Sequence, residues 1–226
     1  MNIHSDFTKR AVVHAAELEW VASPMAGVER KMLDRVGGEV ARATSIVRYA
    51  PGSKFSSHIH NGGEEFFVLD GVFQDEHADY PSGSYVRNPP NSSHTPGSQE
   101  GCTILVKLWQ FDLSDRVEVN INTNQEIAKP VKDRSTVKAI PLFQGDQEDV
   151  RIEEWPADKE IPISVHDGLE LFVLEGSFEE SGEYFFKNSW LRLPPGEALN
   201  VRTGDQGAVV WIKSDHLRNI RNIPEN

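Results

Sequence analysis

The sequence predicts an all-β protein made of two small barrel or jelly-roll domains in tandem. Three observations carry that expectation. First, short apolar runs follow one another along the chain, among them "ATSIVRYA", "EEFFVLDGVF", "GSYVRNPP", "CTILVKLWQF", "ELFVLEGSF", "NSWLRLPP" and "GAVVWIKS", with Gly, Pro, Asn and Asp between them. Many short strands punctuated this way belong to sandwiches and barrels. Second, the pattern is written twice. Third, helical periodicity is scarce: only "GVERKMLDRV" (27–36) and "DHLRNIRNI" (215–223) have helix-like spacing, and both are short.

The repeat appears at an offset of 105 residues. "EFFVLDGVF" (65–73) then falls on "ELFVLEGSF" (170–178), with six of nine residues identical. The register runs on without a gap to "VRNPPNSSH" (86–94) over "LRLPPGEAL" (191–199), and upstream Pro51 falls on Pro156. After a one-residue slip, "GCTILVK" (101–107) falls on "GAVVWIK" (207–213). The expected domains are 1–115 and 116–226. Their joint lies in the polar stretch 112–138, either a linker or strands exchanged between the halves.

Composition narrows the function. The chain has 226 residues, 38% hydrophobic and 26% charged, enough for packed cores of ordinary globular type. Its net charge of −12 gives nucleic-acid or anionic-membrane binding no electrostatic support. A single cysteine, Cys102, excludes an intrachain disulfide and a Cys-x-x-Cys zinc site, and is expected to be a buried, inert thiol. "MNIHSDFTKR" lacks the apolar core of a signal peptide, and no run approaches the roughly 20 apolar residues of a membrane span. The expectation is a soluble, cytoplasmic protein.

The chemistry concentrates in the first copy, in "GSKFSSHIHNGGEEFFVLDGVF" (52–73) and the later "NPPNSSH" (88–94). His58 and His60 are two apart on a strand and so share a face. Glu64 opens the next apolar run, and His94 follows a turn at the end of another. Three imidazoles and a carboxylate from neighbouring strands can converge on one divalent metal; imidazole suits Zn, Fe, Cu or Ni, and the carboxylate adds Mn. In the second copy the same register places Ile163, Val165, Leu169 and Leu199 at those four positions. His166 and Glu170 are each one residue out of register, which turns a side chain to the opposite face. The second copy is therefore expected to be a degenerate domain without metal ligands. Trp109, Tyr85 and Phe66 are candidate pocket residues whose alternative role is core packing, and His77 sits in the acidic hairpin 74–80, expected to be a solvated turn.

These spacings resemble the cupin superfamily. The first cupin motif is matched by Gly52, His58, His60, Glu64 and Gly71; the second is matched by Gly83, Pro89 and His94, with Asn91 where the pattern has Gly. Asn also tolerates a positive φ at such a turn. Within that superfamily, "WVASPMAGVERKMLDRVGGEVARATSIVRYAPGSKFSSH" and "GEEFFVLDGVFQDEHADYPSGSYVRNPP" look like the cupin half of ChrR-type anti-sigma factors, over roughly residues 20–111. The resemblance implies a bicupin that binds one divalent metal, Zn first with Fe, Mn or Ni open, and has a small-molecule or oxidant-sensing role. The sigma-binding part of such factors is a separate helical domain with a His/Cys zinc site. This chain opens its first β-domain close to Met1 and carries only Cys102, so sigma binding is not expected of it. Other cupins of this type are iron dioxygenases of β-diketones or hydroxyketones, which is the alternative function. The implied partners are a small-molecule ligand or substrate and a second copy in a homodimer, with no nucleic acid and no membrane.

Overall fold

The computed structural model describes residues 1–38, 40–218, 220, 223 and 224. It is β-structure almost throughout; among the described residues the only helical element is the single 3-10 turn Thr123–Gln125. Among the described residues no helix is long and apolar enough to cross a membrane. The chain folds as two compact units, one built from Met1–Ser5 and Glu19–Gln125, the other from Asp6–Leu18 and Glu126–Ile220.

Each unit has the same strand order. In the first, Val28–Gly37 pairs Ala41–Tyr49, followed across the sheet by Cys102–Leu108, Glu64–Gln74, Ser84–Asn88 and Val119–Asn122. In the second, Arg134–Gln144 pairs Asp149–Trp155, followed by Ala198–Ser214, Leu169–Glu180, Ser189–Leu193 and Ala11–His14. The last strand in each row is remote in sequence from its partner's hairpin. Val119–Asn122, from the polar joint, completes the first unit, and Ala11–His14, near the N-terminus, completes the second. The division thus differs from one at residue 115, because an edge strand joins whichever sheet offers it an open ladder.

The repeat holds to the level of irregularities. The long strand of each unit skips one residue against its neighbour, Leu69 in the first and Leu174 in the second, 105 residues on. Two residues past each bulge stand Gly71 and Gly176, both at φ +72°, where a Cβ would lie 2.1 Å from the Gly101 carbonyl oxygen and 2.0 Å from that of Gly207. Only glycine combines that backbone conformation with that close approach. The turn that departed from the cupin pattern behaves as read: Asn91 has φ +71°, and its counterpart Gly196 has φ +84°.

The helix-like spacing at 27–36 belongs to a strand. Residues 27–36 are not helical; Val28–Gly37 is a strand with a bulge at Leu33. The bulge shifts the inward–outward alternation by one, so Val28, Met32, Leu33 and Val36 fall at spacings that mimic a helix. For 215–223, the described residues form no helix, and Asn219, Arg221 and Asn222 lie outside the described residues.

The second unit's core gathers Ile163, Val165, Leu169, Leu171, Val173, Leu191, Leu199, Val210 and Ile212 around Trp155 and Phe178. The first unit has a smaller cluster of Phe66, Val68, Phe73, Tyr80, Val86, Cys102, Ile104 and Val106. Burial raises the Cys102 thiol to about 11, so it stays protonated at neutral pH.

Candidate metal centre

The site is assembled from three strand ends. His58–His60 pairs antiparallel with Ser92–His94, which sets His58 directly opposite His94. Alternation puts His60 on the same face as His58. The turn Asn61-Gly62-Gly63 then brings the chain back to Glu64. That turn runs under two aromatic rings: a Cβ on Gly62 would meet the Trp109 ring at 2.2 Å, and one on Gly63, at φ +77°, would meet Phe111 at 2.5 Å. The Asn91 amide donates to the His60 carbonyl at 2.9 Å and ties the second motif's turn to the first.

The ligand-capable nitrogens of His58, His60 and His94 lie within 4.8 Å of one another. Their ring centroids are 4.7 Å (His58–His60), 5.2 Å (His58–His94) and 4.7 Å (His60–His94) apart. Glu64 Oε2 stands 3.4 Å from His60 Nε2 and 3.5 Å from His94 Nε2. His60, His94 and Glu64 are buried, while His58 is exposed. Burial holds the His60 imidazolium down, with His94 and His58 adding to the effect against the pull of Glu64. Burial also acts against charge on His94, but its hydrogen bond to Asp75 and the nearby Glu64 outweigh that and raise it.

This donor set fits a metal ion. His60 Nε2 is buried with no hydrogen-bond partner, a costly state for a nitrogen aimed at a carboxylate and two other imidazoles. Ligands about 2.1 Å from one tetrahedral ion stand about 3.4 Å apart, close to the two Glu64–His separations. His58, His60 and His94 can hold a divalent metal, and Glu64 faces two of the three.

Two supporting residues escaped the sequence reading. Asp75 Oδ2 lies 3.2 Å from His94 Nδ1, while its Oδ1 accepts the backbone amides of His77 at 2.8 Å and Ala78 at 3.0 Å. A carboxylate on the far nitrogen of a ligand histidine fixes its tautomer and ring orientation. Asp75 belongs to the hairpin taken for a solvated turn; its neighbour His77 is indeed exposed. The only sequence signal was an Asp two residues before a turn amide, common in any hairpin. Asn88 Nδ2 donates to Glu64 Oε2 at 3.2 Å and steadies that carboxylate.

A cavity of about 330 Å³ reaches the cluster, with His58, His60 and Glu64 in its wall. Trp109 and Tyr49 also line it. Of the other candidate pocket residues, Tyr85 is fully buried and donates to Glu65 at 2.8 Å, and Phe66 packs on Phe73.

In the second unit, Ile163 pairs directly with Leu199 as His58 does with His94, and all four aliphatics are buried in one core. His166 is exposed. Glu170 is fully buried like Glu65, and sits 3.0 Å from His216 and 3.3 Å from Trp190 Nε1.

Comparison with known proteins places this fold. Residues 8–112 match the family described as the ChrR Cupin-like domain. A search of curated protein sequences finds no match. Among solved structures, a candidate dioxygenase of Nostoc punctiforme superposes with a TM-score of 0.76 at 14% identity, over 97% of this chain and 87% of that one. A bacterial pirin of Escherichia coli, solved in complex with nickel(II), gives 0.66 at 12% identity, over 91% and 98%. An oxalate decarboxylase variant of Bacillus subtilis gives 0.66 at 10% identity, over 94% and 78%. At such identities these likenesses establish the fold alone. Taken with the two repeated β-units, they show a cupin fold over the whole chain, and residues 8–112 of it are similar to the ChrR Cupin-like domain.

Proposed function

We propose that the first unit is a mononuclear metal centre in which His58, His60, His94 and Glu64 hold one divalent ion, Zn²⁺ first among the candidates, and that the chain is a metal-dependent module binding or sensing a small molecule. The observation that carries this reading is the convergence of three histidine nitrogens within 4.8 Å, with Glu64 Oε2 against two of them. A bound ion would supply Lewis-acid polarisation to an oxygen donor in the cavity. The chain's own residues do the rest. Asp75 and Asn88 hold His94 and Glu64 in orientation, and the Trp109 and Phe111 rings over Gly62-Gly63 fix the turn between His60 and Glu64.

The second reading is an iron-dependent oxygenase acting on a β-diketone or hydroxyketone. The cavity favours it, since it brings His58, His60 and Glu64 within reach of a small molecule. Metal analysis of untagged protein beside the His58→Ala/His60→Ala variant tests both. About one zinc per chain, lost in the variant, supports the binding-module reading. Iron, with oxygen uptake on a β-diketone, transfers support to the oxygenase. Background metal in both proteins defeats the metal-centre reading itself.

A further inference from the structure

The cavity wall carries a charge pattern that the metal centre does not need. Among the described residues its lining holds Glu64 as the one carboxylate and includes Arg30 and Arg35, in a chain of net charge −12. Both arginines come from Val28–Gly37, where simple alternation would put residues 30 and 35 on opposite faces. The bulge at Leu33 cancels that. Arg30 pairs with Val47 and Arg35 with Ala43, two residues of the same parity on the neighbouring strand, so both guanidinium groups turn to the cavity. Arg30 donates to Ser23 Oγ at 2.9 Å, and Arg35 donates to the Gly38 carbonyl. Burial, and after it the charge of Arg30, holds the Arg35 guanidinium below its ordinary range.

The second unit is an internal control. It keeps the bulge, at Leu142, so its register can be read across strand by strand. The counterpart of Arg30 is Ala139, opposite Glu153, and the counterpart of Arg35 is Gln144, opposite Asp149. Where the first unit has Val47, the second has Glu153, which binds Arg134 at 2.9 and 2.6 Å, Arg151 at 2.8 Å and Trp155 Nε1 at 2.7 Å. The second unit thus sets a carboxylate where the first has Val47, and lacks both the arginine pair and the histidines at the matching positions. The first unit has the histidines and the arginines together.

We propose that the cavity of the first unit binds a small carboxylate ligand, its anionic group met by Arg30 and Arg35 and a second oxygen donor, a ketone or hydroxyl, turned toward His58, His60 and Glu64. This deepens the metal-centre reading and rests on it for the second donor only. The remaining wall, with Val28, Val47, Leu108 and Trp109, suits a short aliphatic body. The volume of about 330 Å³ is at the small end of ligand pockets, which run from about 300 to 1,000 Å³. A planar guanidinium presents paired donors that match a carboxylate, which makes arginine the residue for this task.

The test is calorimetric titration with 4-oxopentanoate and its neutral amide, 4-oxopentanamide, on protein as purified and after chelator treatment. The acid should bind at least tenfold more tightly than the amide, and the preference should survive the chelator. Arg30→Gln, a partly exposed position, should bring the acid to the level of the amide, with Arg30→Lys in between. If the glutamine variant is not folded by circular dichroism, the lysine variant and the acid-to-amide ratio of the parent protein decide. Equal affinity for acid and amide, a preference that vanishes with the metal, an unchanged ratio in folded Arg30→Gln, or no binding of the acid each overturns the proposal. Failure of the metal-centre reading looks different: no metal in the purified protein and no effect of chelator, with the acid preference intact.

Discussion

The two units put opposite chemistry on one backbone. Where the first unit sets His58 across from His94, the second sets Ile163 across from Leu199. Where Glu64 opens the long strand of the first, the fully buried Leu169 opens that of the second. The bulges, the positive-φ glycines and the strand order are kept. Ladder hydrogen bonds and close backbone approaches are therefore indifferent to what points into the barrel, provided the interior is internally consistent. An aliphatic interior gains from burial, about 1.5–3 kcal/mol for each fully buried Val, Leu or Ile side chain. A polar interior gains nothing comparable and needs a partner for each group.

The most disruptive way to break that symmetry is to mix the interiors. Leu169→Glu should cost the second unit about 3–5 kcal/mol, because it leaves an unpaired carboxylate in an apolar core. Urea denaturation should show that unit unfolding at much lower denaturant. The reverse change, Glu64→Leu, should leave the first unit folded and lower its metal content. A Leu169→Glu protein as stable as the parent would mean that the second unit's interior is wetter than its packing indicates.

A smaller effect should be shared by both units. Gly71→Ala and Gly176→Ala each force a Cβ onto a carbonyl oxygen at positive φ. Each should cost about 2–3 kcal/mol, by thermal or urea denaturation, and the two losses should be similar. A loss confined to one unit would show that the repeat's backbone is under different strain in its two copies.

The finest probe separates a ligand from its support. Asp75→Asn retains Oδ1 for the turn amides and replaces the oxygen facing His94 by an amide donor. Metal affinity, measured by competition with a chelator, should fall roughly 10–100-fold while the fold persists. Unchanged affinity would demote Asp75 to a hairpin residue, which is how its sequence context reads.

Much of this was legible in the chain. The repeat announced two similar β-units because apolar alternation and turn residues are local properties that survive in any pair of copies. His58, His60 and Glu64 were legible as a group because their spacings are short, and His94 through the second motif; the structure brings the three histidines together with Glu64 against two of them. The helix-like spacing at 27–36 has a definite cause. One inserted residue, Leu33, scrambles the alternation that identifies a strand, and the pairing partner that reveals the bulge lies elsewhere in the chain. The same bulge hid the arginine pair, since positions 30 and 35 share a face only once Leu33 is skipped. Asp75 was missed because the hydrogen bond that matters reaches a residue 19 positions away.

The sequence alone determined the β-class, the internal repeat and which copy carries ionisable groups at the four candidate positions, all of which follow from residue type and short-range period. Only the tertiary structure decided which edge strand completes which unit, that Arg30 and Arg35 share a cavity with His58, His60 and Glu64, and that Asp75 orients His94. The reason is physical. Side-chain direction in a strand is set by the ladder it joins, and a ladder is a property of two segments, so no single stretch of chain encodes it.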